Sequence, residues 1–339
     1  MSEERSPILP CAERHDVTSP GAGDPPTDRQ VSRRAAVRGI AAAGAAAALA
    51  AGFSRHVAVS QDGTPAPPTD EVVPFGDGTY AFVGSGYISL FVVTDDGVIA
   101  TDPSSESDPT RADRYKAAIE AVTDQPVRYV VYSHSHSDHA TGGDIFADTA
   151  TFVSHRNAVA GIAALGDART PAPTVAFDDF LSIELGGTVV ELHYTGRNHS
   201  DSSIVLLHPA QRLLFAVDFI PVDALLYQDL PDAYPEEWVE SLRWIDENLD
   251  FDTLVPGHLP LPGTKETVGQ VRGYLEDLMA AVERARDEGL ADGSPEMVAS
   301  VQAALEPAYG GWGNFAEWLP LNVEGLLRIQ AEQAATPAA

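Results

Sequence analysis

Short runs rich in β-branched and aromatic residues follow one another through the first half of the chain. Thr79–Gly84, Ile88–Thr94 and Gly97–Thr101 read as strands. Asp95-Asp96-Gly97 joins the last two, and its Asp-Gly pair suits a tight hairpin turn. The three strands predict a β-meander, with regular structure starting near Val72 after a Pro-containing polar linker over 61–71. Asp108-Pro109 then offers an N-cap and a first-turn proline, and Tyr115, Ile119 and Val122 recur at i, i+4 and i+7, which predicts a helix. Val127–Tyr132 is an apolar strand that ends in a run of histidines.

The second half repeats the theme. Strands are predicted around Thr174–Phe177, Phe180–Leu185, Thr188–Tyr194, Ser203–Leu207 and Leu213–Val217, with turns at Gly186-Gly187 and Pro209-Ala210. Pro235 opens a helix with Trp238, Leu242, Ile245 and Leu249 on one face, and Thr253–Val255 is a final strand running into Gly257-His258. Beyond Pro262 the period changes to that of helices: Glu266–Glu288, stopped by Gly289, then Ser294–Leu305 and Asn322–Gln333. An aromatic, Gly-rich stretch, Tyr309–Phe315, separates the last two. The organisation expected is a leader over 1–60, the linker over 61–71, a catalytic domain over 72–262 and a helical C-terminal extension over 263–339.

The leader changes the picture of where the protein works. Ser32-Arg33-Arg34-Ala35-Ala36-Val37-Arg38 precedes an uncharged Ala-rich run from Gly39 to Phe53, too short to span a bilayer comfortably. Paired arginines before such a run resemble the twin-arginine export signal, although Ala36 and Val37 stand where a bulkier apolar pair is usual. Export to the periplasm or outside the cell is the expectation, with membrane attachment only through an uncleaved leader. The single cysteine, Cys11, lies in this leader, so the remainder has no disulfide and draws its stability from core and metal. Residues 61–339 hold 14 Lys and Arg against 44 Asp and Glu. Such a surface repels polyphosphate and argues against nucleic acid as a partner, leaving a small-molecule substrate. Lysine occurs only at Lys116 and Lys265, a balance that fits a high-salt habitat or an ordinary acidic secreted protein.

Five of the ten histidines carry the candidate chemistry. They are His134, His136 and His139 within His134-Ser135-His136-Ser137-Asp138-His139, His199 within Thr195-Gly196-Arg197-Asn198-His199, and His258 within Pro256-Gly257-His258, with Asp218 between the last two. Imidazole nitrogen and carboxylate oxygen both ligate zinc at about 2.0–2.2 Å, and three histidines with an aspartate inside six residues need partners for their polar atoms if they are buried. The pattern points to a binuclear metal enzyme. His155, His193 and His208 match no ligand position and read as structural or surface residues.

The H-x-H-x-D-H run, Gly196-x-x-His199, Asp218 after an apolar strand, Gly257-His258, and Asp102 closing the third strand together resemble the metallo-β-lactamase superfamily over about residues 72–262. The resemblance implies an α+β fold, a four-layer αββα sandwich with the metals at one edge. It implies that His134, His136 and His199 bind a first cation, that Asp138, His139 and His258 bind a second, and that Asp218 bridges them. Asp102 would orient a ligand histidine through its free ring nitrogen. Two divalent ions are implied, zinc being the best match to this mixture of donors, with iron or manganese as alternatives. Sharing a water, such a pair lowers its pKa toward neutrality and presents a bridging hydroxide to a polarised carbonyl, with Asp138 aiming the nucleophile.

Within that family a bridging carboxylate at the position of Asp218 is typical of thioester hydrolases and lactonases. The reading is therefore a hydrolase of a small ester, lactone or thioester. A β-lactam hydrolase, a mono-iron sulfur dioxygenase and a noncatalytic binding protein on the same scaffold are the alternatives. Arg197 is a candidate for receiving an acidic substrate group, and Tyr227 for lining the cleft. Trp312, Phe315 and Trp318 either cover the cleft from the C-terminal extension or belong to its core.

Overall fold

The computed structural model describes residues 16–17 and 70–335; the expected export leader lies outside them, apart from the two-residue strand β1 (Asp16–Val17). The first sheet begins with β2 (Glu71–Gly76), β3 (Thr79–Gly84), β4 (Tyr87–Thr94) and β5 (Gly97–Thr101), an antiparallel meander, and continues with β6 (Val127–Val131), β7 (Thr151–His155) and β8 (Val175–Phe177) in parallel. Helices α1 (Arg111–Val122) and α3 (Arg156–Leu165) make the crossovers flanking β6 and β7. The second sheet has the order β1, β9 (Phe180–Leu185), β10 (Thr188–Tyr194), β11 (Ile204–His208), β12 (Leu213–Phe215), β13 (Thr253–Val255), β14 (Gly263–Thr264). Helix α4 (Pro235–Asn248) links β12 to its parallel neighbour β13.

The alternation along each strand decides the layering. Ile99, Tyr129 and Val131 of the first sheet meet Ile204, Leu206, Leu213 and Phe215 of the second in one cluster, the interior between the sheets. Their chain neighbours Val98, Ala100 and Val130 point the other way and pack with Tyr115 and Ile119 of α1 and Ile162 of α3. On the second sheet Val205, Leu207, Leu214 and Ala216 turn outward to α4 and to three C-terminal helices, α5 (Lys265–Asp287), α6 (Pro295–Tyr309) and α7 (Phe315–Ala335). The result is the four-layer αββα sandwich, with each fully buried large apolar side chain contributing about 1.5–3 kcal/mol. The C-terminal helices share one continuous core with α4, through Trp238, Leu242, Leu275, Val301 and Leu326.

Three local expectations are corrected. Helix α1 begins at Arg111, two residues later than Asp108-Pro109 suggests; Thr110 precedes it without a side-chain capping bond, while Asp108 accepts from Thr110 N and Arg111 N and its carboxylate also from Ser85 and Arg114. Val122, the last residue of α1, is exposed, so the buried face of the helix is Arg111, Ala112, Tyr115 and Ile119. Helix α6 runs on to Tyr309 rather than ending at Leu305, and α7 starts at Phe315 rather than Asn322 and runs through Pro320, so the aromatic, Gly-rich stretch joins the two directly. Among the described residues no helix is long and apolar enough to cross a membrane.

Candidate metal centre

All the predicted ligands sit where strands end. Strand β6 delivers the loop 132–136 and the one-turn helix α2 (Ser137–Ala140); Asp102 follows β5 directly, β12 runs on to Asp218, and β13 runs into His258. Two bonds between the sheets close this edge: Ile204 N donates to Ser133 O at 2.8–3.0 Å separation typical of a backbone ladder, here 2.9 Å, and Ile88 N donates to Gly257 O at 2.8 Å. His199 arrives on the loop after β10, held by Asn198 N donating to Ser200 O and by Tyr234 N donating to Asn198 O.

The seven side chains converge. His134, His136, His199 and Asp218 offer one donor set, and Asp138, His139, Asp218 and His258 a second, each with its ligand atoms within 4.8 Å of one another. Asp218 belongs to both. Its Oδ2 lies 3.1 Å from His139 Nε2, 3.7 Å from His199 Nε2 and 3.8 Å from His134 Nε2, while its Oδ1 lies 3.3 Å from His258 Nε2. Asp138 Oδ2 is 3.5 Å from His139 Nε2. Gly257 is required at its position, because a Cβ there would fall 2.6 Å from both Asp218 Oδ1 and Val217 Cγ1.

Hydrogen bonds outside the cluster fix which ring nitrogen faces inward. His134 Nδ1 pairs with Ser133 Oγ at 2.8 Å, and His258 Nδ1 donates to Gly86 O at 2.8 Å, so both present Nε2. His136 is reversed: its Nε2 donates to Asp232 Oδ2 at 3.0 Å, and Nδ1 faces His199 Nε2 at 3.3 Å. Asp102 is fully buried; its Oδ1 accepts from Ser133 N at 2.8 Å, and its Oδ2 stands 3.6 Å from His139 Nδ1. Its carboxylate faces the His139 ring without a formed hydrogen bond.

These residues fit a pair of cations. Seven buried side-chain polar atoms among the described residues lack a hydrogen-bond partner, and five belong here: Asp102 Oδ2, His134 Nε2, both ring nitrogens of His139, and Asp218 Oδ1. Unpartnered buried donors and acceptors are costly and rare; His134 Nε2, His139 Nε2 and Asp218 Oδ1 belong to the donor sets, as a cation-binding cradle requires, while Asp102 Oδ2 and His139 Nδ1 face each other. The electrostatics agree. Burial holds the His134 imidazolium well below the usual range, and burial likewise lowers His199 to about 4, which keeps both rings neutral and ready to ligate. Burial works against the charged forms of His139 and Asp218 too, but their mutual attraction overrides it; Asp218 is held well below the usual carboxylate range and His139 well above that of a free histidine. The carboxylates thus demand positive charge at this place, which divalent cations supply.

The cluster forms one side of a cavity of about 500 Å³. His136, Asp138, His199, Asp218 and His258 line it, together with Tyr227 and with Trp318 from α7. Arg197, expected to receive a substrate, does not line it. Its guanidinium donates to Glu237, from Nε at 2.9 Å, and lies over the Tyr234 ring at 4.2 Å. Trp312 and Phe315 pack into the core of the C-terminal helices, leaving Trp318 as the member of that aromatic group facing the cleft. The other described histidines lie outside the cluster: His155 stacks on Tyr194 with centroids 3.8 Å apart, His193 meets Glu191, and His208 pairs with Thr79.

Sequence reasoning missed four residues. Asp232 orients His136, as above. Tyr87 lines the cavity and packs against His139 and His258, its hydroxyl held neutral first by burial and then by Asp138. Glu106 sits at the same cavity. Arg111 is fully buried and donates to Gly84 O, Ser89 Oγ, Pro103 O and Tyr87 O, tying together the loops that carry Tyr87 and Asp102. A charged residue at the start of an amphipathic helix gives no sign in sequence that it points inward.

Comparison with known proteins agrees with this geometry. The 2,4-dinitroanisole O-demethylase subunit alpha of Nocardioides sp. (strain JS1661) is 30% identical over 173 residues, which is 50% of this chain and 52% of that protein, so the match spans about half of the relative's length. The metallo-beta-lactamase type 2 of Elizabethkingia meningoseptica is 23% identical over 184 residues, 52% of this chain and 71% of that one. Among solved structures, a metallo-beta-lactamase from Pontibacter korlensis superposes with a TM-score of 0.53 at 20% identity, covering 61% of this chain and 99% of the other. The family model of the metallo-beta-lactamase superfamily matches residues 81–258, just over half of the chain and nearly all of the segment that carries the cluster. The chain belongs to the metallo-β-lactamase superfamily.

Proposed function

We propose that the protein is a binuclear, metal-dependent hydrolase of small esters, lactones or thioesters. One observation carries the reading: two four-residue donor sets sharing Asp218 open onto a cavity large enough for a small molecule. When bound, a pair of divalent cations, zinc foremost, supplies an activated water and polarises the scissile carbonyl.

The chain's own residues do the rest. Asp138 belongs to the second donor set and also lines the cavity, so its carboxylate can accept a hydrogen bond from the attacking water and take up its proton. Tyr87, kept neutral, is a hydroxyl donor on the same cavity, suited to the carbonyl oxygen as negative charge develops there. His134 and His199, kept neutral by burial, hold the first donor set ready near pH 7. The reaction needs no side-chain nucleophile.

The paired arginines Arg33-Arg34 ahead of the Ala-rich run support export, and the coupling of metal binding to folding favours loading before export. The activity named for the Nocardioides relative, O-demethylation of an activated aryl ether, adds that bond type to the substrates worth testing. The experiment is metal analysis followed by a panel of thioesters, lactones, esters, aryl ethers and β-lactams on the purified full chain. Two equivalents of zinc with ester, lactone or thioester turnover supports the proposal. Turnover confined to β-lactams, one equivalent of iron with thiol oxidation, or metal without any turnover would each replace it with one of the alternatives.

A further inference from the structure

The cavity wall is unlike its floor. Among the described residues three carboxylates, Glu106, Asp138 and Asp218, reach it, and no lysine or arginine does. Two of those carboxylates belong to the donor sets and face the cations they would bind; Glu106 belongs to neither set, and its charge is felt by Arg169, which donates to the neighbouring Ser105 O and does not line the cavity. Apart from Glu106, Asn314 and the Tyr87 hydroxyl, the lining outside the donor sets is apolar, with Val222, Leu225, Tyr227, Leu259 and Trp318. Tyr227 and Leu259 are 52% and 39% exposed, two of the five exposed large hydrophobic side chains among the described residues. Exposed apolar side chains gathered at one cavity favour an apolar occupant.

Tyr227 and Trp318 form a corner, with ring centroids 5.5 Å apart and planes at 76°. Helix α7 holds that corner in place. Asn322 donates to Leu226 O at 2.9 Å and to Gln228 O at 2.6 Å, and Arg328 donates to Asp229 O and Leu230 O at 3.0 Å each. Gly325 presses against the same loop so closely that a Cβ would fall 2.0 Å from Asp229 O. Leu225 N donates to Gly313 O at 3.0 Å and Gly313 N to Asp223 O at 2.7 Å, which pins the junction before α7 to the cavity wall. Trp318, Asn322 and Arg328 all lie beyond residue 258, where the family match ends.

We infer that the site selects uncharged, largely apolar substrates, that Tyr227 and Trp318 grip the part of the substrate remote from the reacting bond, and that α7 is a specificity element added to the family's metal-binding scaffold. The inference rests on the hydrolytic reading above and narrows it. A carboxylate remote from the scissile bond finds no cation on this wall and meets Glu106, within a chain of net charge −29 that already repels anions. A neutral chain or ring instead buries Tyr227 and Leu259 and makes edge and face contacts in a preorganised aromatic corner.

Matched esters test this on the zinc-loaded full chain. 4-Nitrophenyl pentanoate and 4-nitrophenyl hydrogen glutarate carry the same three methylenes, ending in a methyl group or a carboxylate. The neutral ester should show a kcat/KM at least about tenfold higher, and Trp318→Ala or Tyr227→Ala should raise its KM about tenfold with kcat nearly unchanged. Calorimetric binding of the unreactive counterparts, pentananilide and glutaranilic acid, separates the two proposals. Tighter binding of the neutral anilide, weakened in both variants, supports the selectivity even if no ester is turned over, in which case the hydrolytic reading alone falls. Equal or tighter binding of glutaranilic acid, or unchanged binding of pentananilide in both variants, overturns the selectivity whatever the turnover.

Discussion

His136 Nε2 donates to the carboxylate of Asp232 at 3.0 Å, which turns its Nδ1 toward His199 Nε2, 3.3 Å away. His134, His139, His199 and His258 all approach Asp218 through Nε2, so His136 alone depends on an outside partner to present its other nitrogen. Asp232 is mostly exposed, which limits the strength of the bond. Asp232→Ala should therefore weaken the first metal set by about tenfold, the low end for loss of such a partner, and leave the second set near its original affinity. Chelator competition with zinc measures both. Equal weakening of the two sets would show that His136 is oriented by something else.

Asp138 stands in the second donor set and also lines the cavity. Asp138→Ala should lower kcat by about 10²–10⁴-fold and reduce occupancy of the second donor set. Near-normal turnover by the variant would remove Asp138 from the reaction.

Gly257 fits where no other residue does, with Asp218 Oδ1 and Val217 Cγ1 both 2.6 Å from the position of an added Cβ. Gly257→Ala must push Asp218 aside, and we expect it to destabilise the protein by about 1–3 kcal/mol while lowering the zinc stoichiometry. Denaturant midpoints with metal analysis report the two effects separately. A variant with wild-type metal content would place the bridging carboxylate elsewhere.

The metal-free protein should be most stable near pH 6.5. His139 and His258 are raised above the ordinary histidine value of about 6.5, so their contribution is complete below that pH and is lost as pH rises through their folded pKa values. His134 and His199 are lowered, so the unfolded chain takes up protons the folded one refuses, and stability falls as pH drops from about 6.5 toward the value of about 4 for His199. Asp218, also lowered, contributes above about 3.8 and loses that contribution further into acid. Urea midpoints in chelator across pH 4–9 trace the curve. Zinc should shift the optimum upward, because ligation needs deprotonated rings.

Arg111 is the buried charge whose removal should cost most. Arg111→Met strands Gly84 O, Ser89 Oγ, Pro103 O and Tyr87 O without their donor, and should destabilise the fold by about 3–5 kcal/mol, measured by denaturant unfolding.

The strands were legible from their β-branched and aromatic runs, whereas the layering followed from the family resemblance; β5 is buried along its whole length, so nothing in Val98, Ile99 and Ala100 states that Ile99 faces the other sheet and its neighbours the helices. The seven clustered donors were legible for a different reason, since imidazoles and carboxylates at these spacings are costly to bury without a shared ligand. Asp232, Glu106 and Arg111 were not. They are single charged residues in an acidic chain, and their importance comes from where long loops and a helix start bring them, which no local period encodes. Helix α3 was missed because its small residues leave only Ala158 and Ile162 as buried anchors. The part α7 takes in the cavity was half visible: its aromatics were noted, but only the packing showed that Trp318 faces the cleft while Phe315 is core.

The most direct test of the binuclear centre is anomalous diffraction at the zinc edge from crystals of the zinc-loaded protein. Two peaks are expected, one among His134, His136 and His199 and the other among Asp138, His139 and His258, both within bonding distance of Asp218. A single peak, or a pair of which neither touches Asp218, would contradict it.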